Sequence, residues 1–425
     1  MKRKEFLSSV AAAAALTVTP SLASAAVPHP AMALLWPPID PQDEQFWKFV
    51  RGQFPLTQDR AYFNTGGLGA SPYVVIDAVK AKIDELEKVS ETGHSEDLLK
   101  EMRTDIAALL GGDPSEVAFI RNTTEGINIV ANGLPFKPGD EVILTTHEHV
   151  GNSLIWMLLQ KRAGIALKMF EPSTTSIEEN LDRIQKLITR KTRLISVPHV
   201  LTTTGLILPV REIAEVARQK KLWFFVDGAQ TAGMFPFSLH EIGCDAYATS
   251  GHKWLLGPKE TGLLYVRREM QDVIQTKFVG AYSAAEFDFP KGTFTLLPSA
   301  QRYEYGTVSI PLRCGLHAGV KFLGRVGMEN VWARDRQLSN RLFEGLQATP
   351  SVEILSPADN RMRSAMITFR HRTLPYLKLQ EHLDTYKLRT RGVNEANLGA
   401  LRVSTHIYNS PEEVDRVLEG VKTAK

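Results

Sequence analysis

The chain has 425 residues, 43% of them hydrophobic and 23% charged, and its formal net charge is +3. A chain of this length buries a large core and divides into more than one domain. The small net charge, with no basic run interleaved with aromatics, excludes the electrostatic footprint of a nucleic-acid binder.

Residues 1–25 differ from the rest. Lys2, Arg3 and Lys4 precede an apolar run through Val10 to Leu16, and Ala23-Ser24-Ala25 offers a small-residue cleavage site, the pattern of a signal peptide. The run falls short of the ~20 residues of a membrane span. The order Arg3-Lys4-Glu5-Phe6-Leu7 is similar to a twin-arginine (Tat) export signal with lysine in the second basic place, the ordinary secretory route being the alternative. Either route gives a periplasmic or secreted protein served by export machinery. Residues 26–60, proline-rich from Pro28 to Pro41, read as an N-terminal arm.

Ser71-Pro72 reads as the cap and first residue of a helix to about Val89, and Ser95-Glu96-Asp97 opens another that ends at Gly111-Gly112. Seven apolar runs follow as strands: Val117–Ile120, Glu141–Thr145, Ala166–Phe170, Arg193–Val197, Leu222–Val226, Ala246–Thr249 and Gly262–Val266. Helical stretches fill most gaps, so an α/β domain over residues 61–310, with a mostly parallel sheet flanked by helices, is expected, its ligand at the carboxyl ends of the strands. Residues 311–425 read as a smaller α+β domain with helices at Leu312–Leu323 and Glu329–Gln347 and strands at Ser364–Phe369 and Leu401–Ser404. Cys244 and Cys314 stand in no metal-ligand spacing and read as buried thiols, their pairing left open.

The chemistry concentrates at strand ends. Ser250-Gly251-His252-Lys253 follows one strand, and Asp227 closes another ahead of Gly228-Ala229-Gln230. Pyridoxal phosphate (PLP) needs an amine for a Schiff base and an anion beside its ring nitrogen, and Lys253 and Asp227 supply that pair. Thr123-Thr124-Glu125-Gly126 starts a helix after a strand, where hydroxyls and backbone N–H groups bind phosphate, with Ser250 and His252 able to meet the same group. An imidazole from His147-Glu148-His149 can lie on the pyridine ring; a metal reading of this His-x-His lacks a third ligand, and no metal is expected. Gln230 can reach the cofactor's phenolic oxygen, and Arg402 can clamp a substrate carboxylate.

These residues resemble the class V aminotransferase family of fold type I PLP enzymes, specifically a branch similar to isopenicillin N epimerase. The likeness runs from about Tyr62 to Val421 and rests on Asn122-Thr123-Thr124-Glu125-Gly126-Ile127-Asn128, Asp227-Gly228-Ala229-Gln230, Ser250-Gly251-His252-Lys253, Tyr305-Gly306-Thr307 and Arg402-Val403-Ser404 with Tyr408-Asn409. By that resemblance Lys253 forms the Schiff base, Asp227 holds the ring nitrogen, Gln230 reaches the phenolic oxygen and His149 stacks on the ring. Thr123, Thr124, Ser250 and His252 hold the phosphate, and Thr307 comes from the neighbouring subunit of a homodimer with composite sites. Substrate contacts fall to Arg402, which grips the α-carboxylate, to Asn64, and to His199, which stands where desulfurases carry an asparagine.

Cysteine desulfurases on this scaffold use a nucleophilic cysteine shortly before the carboxylate-binding arginine, and Arg391 to Leu398 contains none. The expectation is therefore an exported PLP enzyme acting at the Cα of an amino acid or amino-bearing metabolite through an external aldimine. Aminotransferase-type chemistry comes first, as in exported enzymes that tailor peptide siderophores. Epimerisation of the isopenicillin N type, decarboxylation, and non-catalytic PLP binding are the alternatives; the shared residues select none of them.

Overall fold

The structure is a computed structural model that describes residues 36–425, so the expected signal peptide and the first part of the arm lie outside the described residues. Its centre is a seven-stranded sheet built from β1 (Val117–Ile120), β2 (Glu141–Thr145), β3 (Ala166–Phe170), β4 (Thr192–Pro198), β5 (Trp223–Asp227), β6 (Ala246–Ser250) and β7 (Gly262–Val266). The order across the sheet is β1-β7-β6-β5-β4-β2-β3. Only β7 runs against the others, pairing antiparallel with β1 and β6. All residues of β1, β2, β6 and β7 are buried, which is why they read as continuous apolar runs: a sheet covered on both faces gives no alternation.

Helices complete the layers. Ser95 caps the helix Glu96–Leu110 by accepting from Leu98 N, and Gly111 ends it in the left-handed region at φ 64°. The preceding helix covers Tyr73–Glu87, with Pro72 itself at the cap position. Ser71, expected to cap, instead donates to the Gly257 carbonyl at 3.2 Å and ties this helix to the loop beyond Lys253. The helix Ile310–Val326 runs along Tyr73–Glu87. Gly315 allows that approach, since a Cβ there would press on Val79 and Pro258.

Part of the expected arm is regular and packed. Asp43 caps a helix at Glu44–Gly52 that buries Phe46, Trp47 and Val50, and Glu44 pairs with the buried Arg334. Toward the C-terminus a four-stranded antiparallel sheet runs in the order Val352–Ile354, Met366–His371, Ala400–Ser404, Arg391–Val393. Leu338, Leu342, Leu379, Val414 and Val417, from the helices Met328–Gln347, Tyr376–Thr385 and Pro411–Thr423, form its core with Ile367 and Phe369. A hairpin, Ala284–Asp288 with Thr293–Leu296, carries Phe287 and Phe294 exposed.

Candidate functional site

All strands but β7 point the same way, so the ends of β1, β2, β5 and β6 deliver their following residues to one edge of the sheet. There a cavity of about 490 Å³ is lined by Lys253, Asp227, His149, Thr124, Ser250 and His252, together with Thr202 and Arg391. The loop Gly66–Gly69 straps across it, Gly69 N donating to the His252 carbonyl at 2.8 Å. Gly69 has to be glycine, because a Cβ would collide with the Lys253 carbonyl.

Lys253 occupies the turn after β6. Loss of hydration lowers its pKa to about 8, Arg402 and Arg391 push the same way, and Asp227 opposes. Asp227, 5% exposed at the end of β5, accepts one backbone bond from Ala229 N at 2.9 Å. Burial raises its pKa, against that hydrogen bond and the Lys253 charge. A buried carboxylate so sparsely served is costly unless a cation meets it.

At the other end of the cavity Asn122 caps the helix Thr123–Gly133, its Oδ1 accepting from Glu125 N at 3.0 Å. The hydroxyls of Thr123 and Ser250 lie 2.7 Å apart, and the Nδ1 of His252 is buried without a partner. Burial and the Lys253 charge hold the His252 ring neutral, its pKa near 4. His149, an exposed residue at the cavity wall, caps the next helix with its ring by accepting from Gly151 N at 3.1 Å, and its pKa is lowered first by partial desolvation and then by Lys253 and Arg391. A helix N-terminus, paired hydroxyls and an unpartnered imidazole nitrogen fit a phosphate. With a depressed amine and a buried carboxylate in the same cavity, the residues fit PLP.

Other expected residues fall differently. Gln230 gives Nε2 to the Gly66 carbonyl at 2.8 Å and to Thr202 Oγ1 at 3.2 Å, while its Oε1 accepts from Trp254 Nε1 at 3.0 Å. The indole only donates, so this fixes the amide's orientation and leaves both amide hydrogens spent on protein rather than free for a phenolic oxygen. His199 does not reach the cavity edge: its ring packs against Phe235, Phe237 and Tyr247, Nδ1 meets the Tyr247 hydroxyl at 3.1 Å, and burial drops its pKa to about 3. Thr202, three residues on, lines the cavity that His199 does not reach, since the chain turns after β4. Thr307 is exposed and lines a separate pocket with Arg121 and Glu125, away from Lys253 of its own chain.

Arg402 is fully buried; Nη1 donates to Thr202 O and Oγ1 at 2.7 and 2.8 Å, and Nη2 to Asn64 Oδ1 at 3.3 Å. Asn64 thus holds the arginine. His147 is occupied by Thr203 at 2.9 Å and Glu171 at 2.8 Å. Cys244 is buried and Cys314 half-buried; they are unpaired and neither lines the cavity.

Besides Thr202, three residues of the site carry little in the sequence that singles them out. Arg391 lines the cavity beside Lys253. Glu148 is half-buried near Asp227, its pKa raised by loss of hydration while Thr145 and Asn152 donate to it. Trp254 fixes Gln230. The tryptophan's adjacency to Lys253 was the one available signal; the other two depend on strand pairing and loop path.

The family model for aminotransferase class-V matches residues 72–417. A probable cysteine desulfurase of Pyrococcus abyssi is 29% identical over 388 residues, spanning 87% of this chain and 95% of that protein. The apo structure of a cysteine desulfurase from Thermococcus onnurineus NA1 superposes with a TM-score of 0.79 at 27% identity, covering 88% of this chain and 97% of the other. A C-DES variant with glycine covalently linked to the PLP cofactor gives a TM-score of 0.81 at 27% identity, covering 88% and 99%.

Proposed function

Starting from the fact that this chain belongs to the class V aminotransferase family and is a PLP-dependent enzyme, we propose that it acts at the Cα of an amino acid or amino-bearing metabolite by aminotransferase-type chemistry. One observation carries the reading: the depressed Lys253 amine and the buried Asp227 share a cavity that no thiol lines. PLP, when bound, supplies an electron sink for charge developing at Cα. Lys253, with a pKa near 8, is uncharged in far larger fraction at neutral pH than an ordinary lysine, so it can attach the cofactor and then carry a proton to or from Cα. Asp227 would hold the ring nitrogen in its cationic form, His149 would lie against the ring, and Thr123, Thr124, Ser250 and His252 would hold the phosphate. Arg402 takes the α-carboxylate by giving up Asn64, the longest of its three bonds at 3.3 Å.

The cysteine-desulfurase names belong to the relatives. This chain has only two cysteines, neither between Arg391 and Arg402, which argues against a persulfide-forming thiol here. Epimerisation and decarboxylation use the same residues, and the isopenicillin N epimerase-like branch rests on the motifs alone. Export is supported by the pattern of residues 1–25. A homodimer is supported by Thr307, exposed and remote from its own cavity, and by the uncovered aromatic hairpin.

The test is borohydride reduction of holoprotein followed by a screen of amino donors with mass-spectrometric product identification. The pyridoxyl mass is expected on the Lys253 peptide, with a keto product and its reversal by a keto acid. Sulfide release from cysteine would replace the proposal with C–S bond cleavage, and a labelled lysine with no turnover of any donor would leave a PLP-binding protein.

A further inference from the structure

Arg391 and Arg402 are direct partners across the antiparallel pair of strands Arg391–Val393 and Ala400–Ser404. Directly opposed residues share a face of the sheet, and like charges so placed repel unless an anion sits with them. The described chain provides one carboxylate there: Glu395 is ion-paired with Arg391, both side chains 26% exposed. Arg402 meets only Thr202 and Asn64. Two guanidinium groups therefore share one protein anion.

The two arginines are presented differently. Arg402 lies directly behind Gly66, where an added Cβ would stand 2.9 Å from its Nη2. Arg391 lines the cavity with Lys253, and its Nη1 is buried without a partner. Its charge is felt at Lys253, His149 and Arg402. Glu395 begins a loop whose next two residues, Ala396 and Asn397, hold positive φ angles of 53° and 57°, so its position is set by the loop path.

We infer that Arg391 is a second carboxylate-binding group of the site, that Glu395 is the internal counter-ion which an incoming acid displaces, and that the substrate carries an acid group besides its α-carboxylate. The inference rests on the PLP-enzyme reading above. A planar guanidinium with a free edge suits a carboxylate better than a neutral polar group. Glu395 keeps Arg391 compensated before substrate arrives and makes binding an exchange of one carboxylate for another. Neutral side chains cannot drive that exchange.

The experiment is calorimetric titration of the holoprotein with acetate, succinate, glutarate and adipate, with the visible absorption of the Lys253-bound cofactor followed in parallel. At least one diacid is expected to bind roughly ten- to a hundredfold tighter than acetate, the range of one charge-assisted hydrogen-bonded pair. R391Q should bring that diacid to within about twofold of acetate, and E395Q should tighten it, because the competitor is gone. If R391Q does not fold, the double substitution R391Q/E395Q, which removes the ion pair together and leaves the local net charge unchanged, must show the same loss. Equal binding of all four acids by the native protein, or a diacid preference that survives R391Q or the double substitution, overturns the inference. A protein that forms no Lys253-bound chromophore with added PLP refutes instead the reading beneath it.

Discussion

Replacing Asp227 by asparagine should move two quantities in opposite directions. The carboxylate is 5% exposed and accepts one backbone hydrogen bond, from Ala229 N at 2.9 Å, and burial has raised its pKa above the ordinary 3.8. For a carboxyl group shifted upward, the folded state favours the protonated form. Its ionisation therefore opposes folding of the cofactor-free protein once the pH passes 3.8, and the opposition is complete above the folded-state pKa. D227N is nearly isosteric and removes that charge, so the apoprotein should gain about 1–3 kcal/mol at neutral pH, the cost of an underserved buried polar group. The gain should vanish below pH 3.8, where the native carboxyl is protonated in both states. The holoprotein should lose, because an amide cannot hold a cationic ring nitrogen, and a charge-assisted bond of about 1.5–3 kcal/mol corresponds to a ten- to 150-fold weaker hold on PLP. Thermal melting of both forms across pH, with cofactor dissociation measured by absorbance, checks this. An apo D227N that melts below native at pH 7, or one that keeps native PLP affinity, would refute the reasoning.

Three further outcomes are expected. Because the Lys253 pKa is lowered to about 8, the rate of PLP capture by the apoprotein should rise with pH and level off above about 8; a rise continuing toward 10.5, read by stopped-flow absorbance, contradicts the amine's burial. His406 and Asp335 are both fully buried and paired at 3.0 Å, so H406F should leave the carboxylate alone and cost about 3–5 kcal/mol in urea unfolding, with a melting temperature near native counting against it. G69A should displace the strap from the Lys253 carbonyl and reduce the fraction of protein that forms the Lys253-bound chromophore, while far-ultraviolet circular dichroism stays native; full chromophore yield would show that the loop can yield.

Much of the fold was legible because strands covered on both faces print themselves as apolar runs, and all seven strands, the more exposed edge strand β3 included, were recovered to within two residues. Lys253, Asp227, His149, Thr123, Thr124, Ser250 and His252 come to one place because each follows a strand that ends at the same edge. What sequence did not reveal depends on side-chain direction and on pairing between distant segments. Gln230 has the right neighbours in the chain, but with the Trp254 indole on its Oε1 both amide hydrogens go to Gly66 and Thr202. His199 points into the aromatic packing of Phe235, Phe237 and Tyr247 while Thr202, past the turn, faces the cavity. Arg391 was invisible because its short strand, three residues long, is defined only by its partner. The helix Glu44–Gly52 lay inside a stretch taken as an arm, although its Asp43 cap and its buried Phe46, Trp47 and Val50 follow ordinary rules.

The strap over Lys253 is itself tied down from the far end of the polypeptide. Ala61 and Tyr62 pair with Leu388 and Arg389, Ser404 N donates to the Phe63 carbonyl at 2.9 Å, and Asn409 holds the Tyr62 carbonyl at 3.0 Å. Residues made early in synthesis thus wait for residues made nearly last before the flank leading into the strap is fixed, although Gly69 itself rests on His252 and Lys253. A nascent chain paused anywhere before residue 388 lacks that anchor, so the flank of the strap takes its final position only in the nearly completed polypeptide.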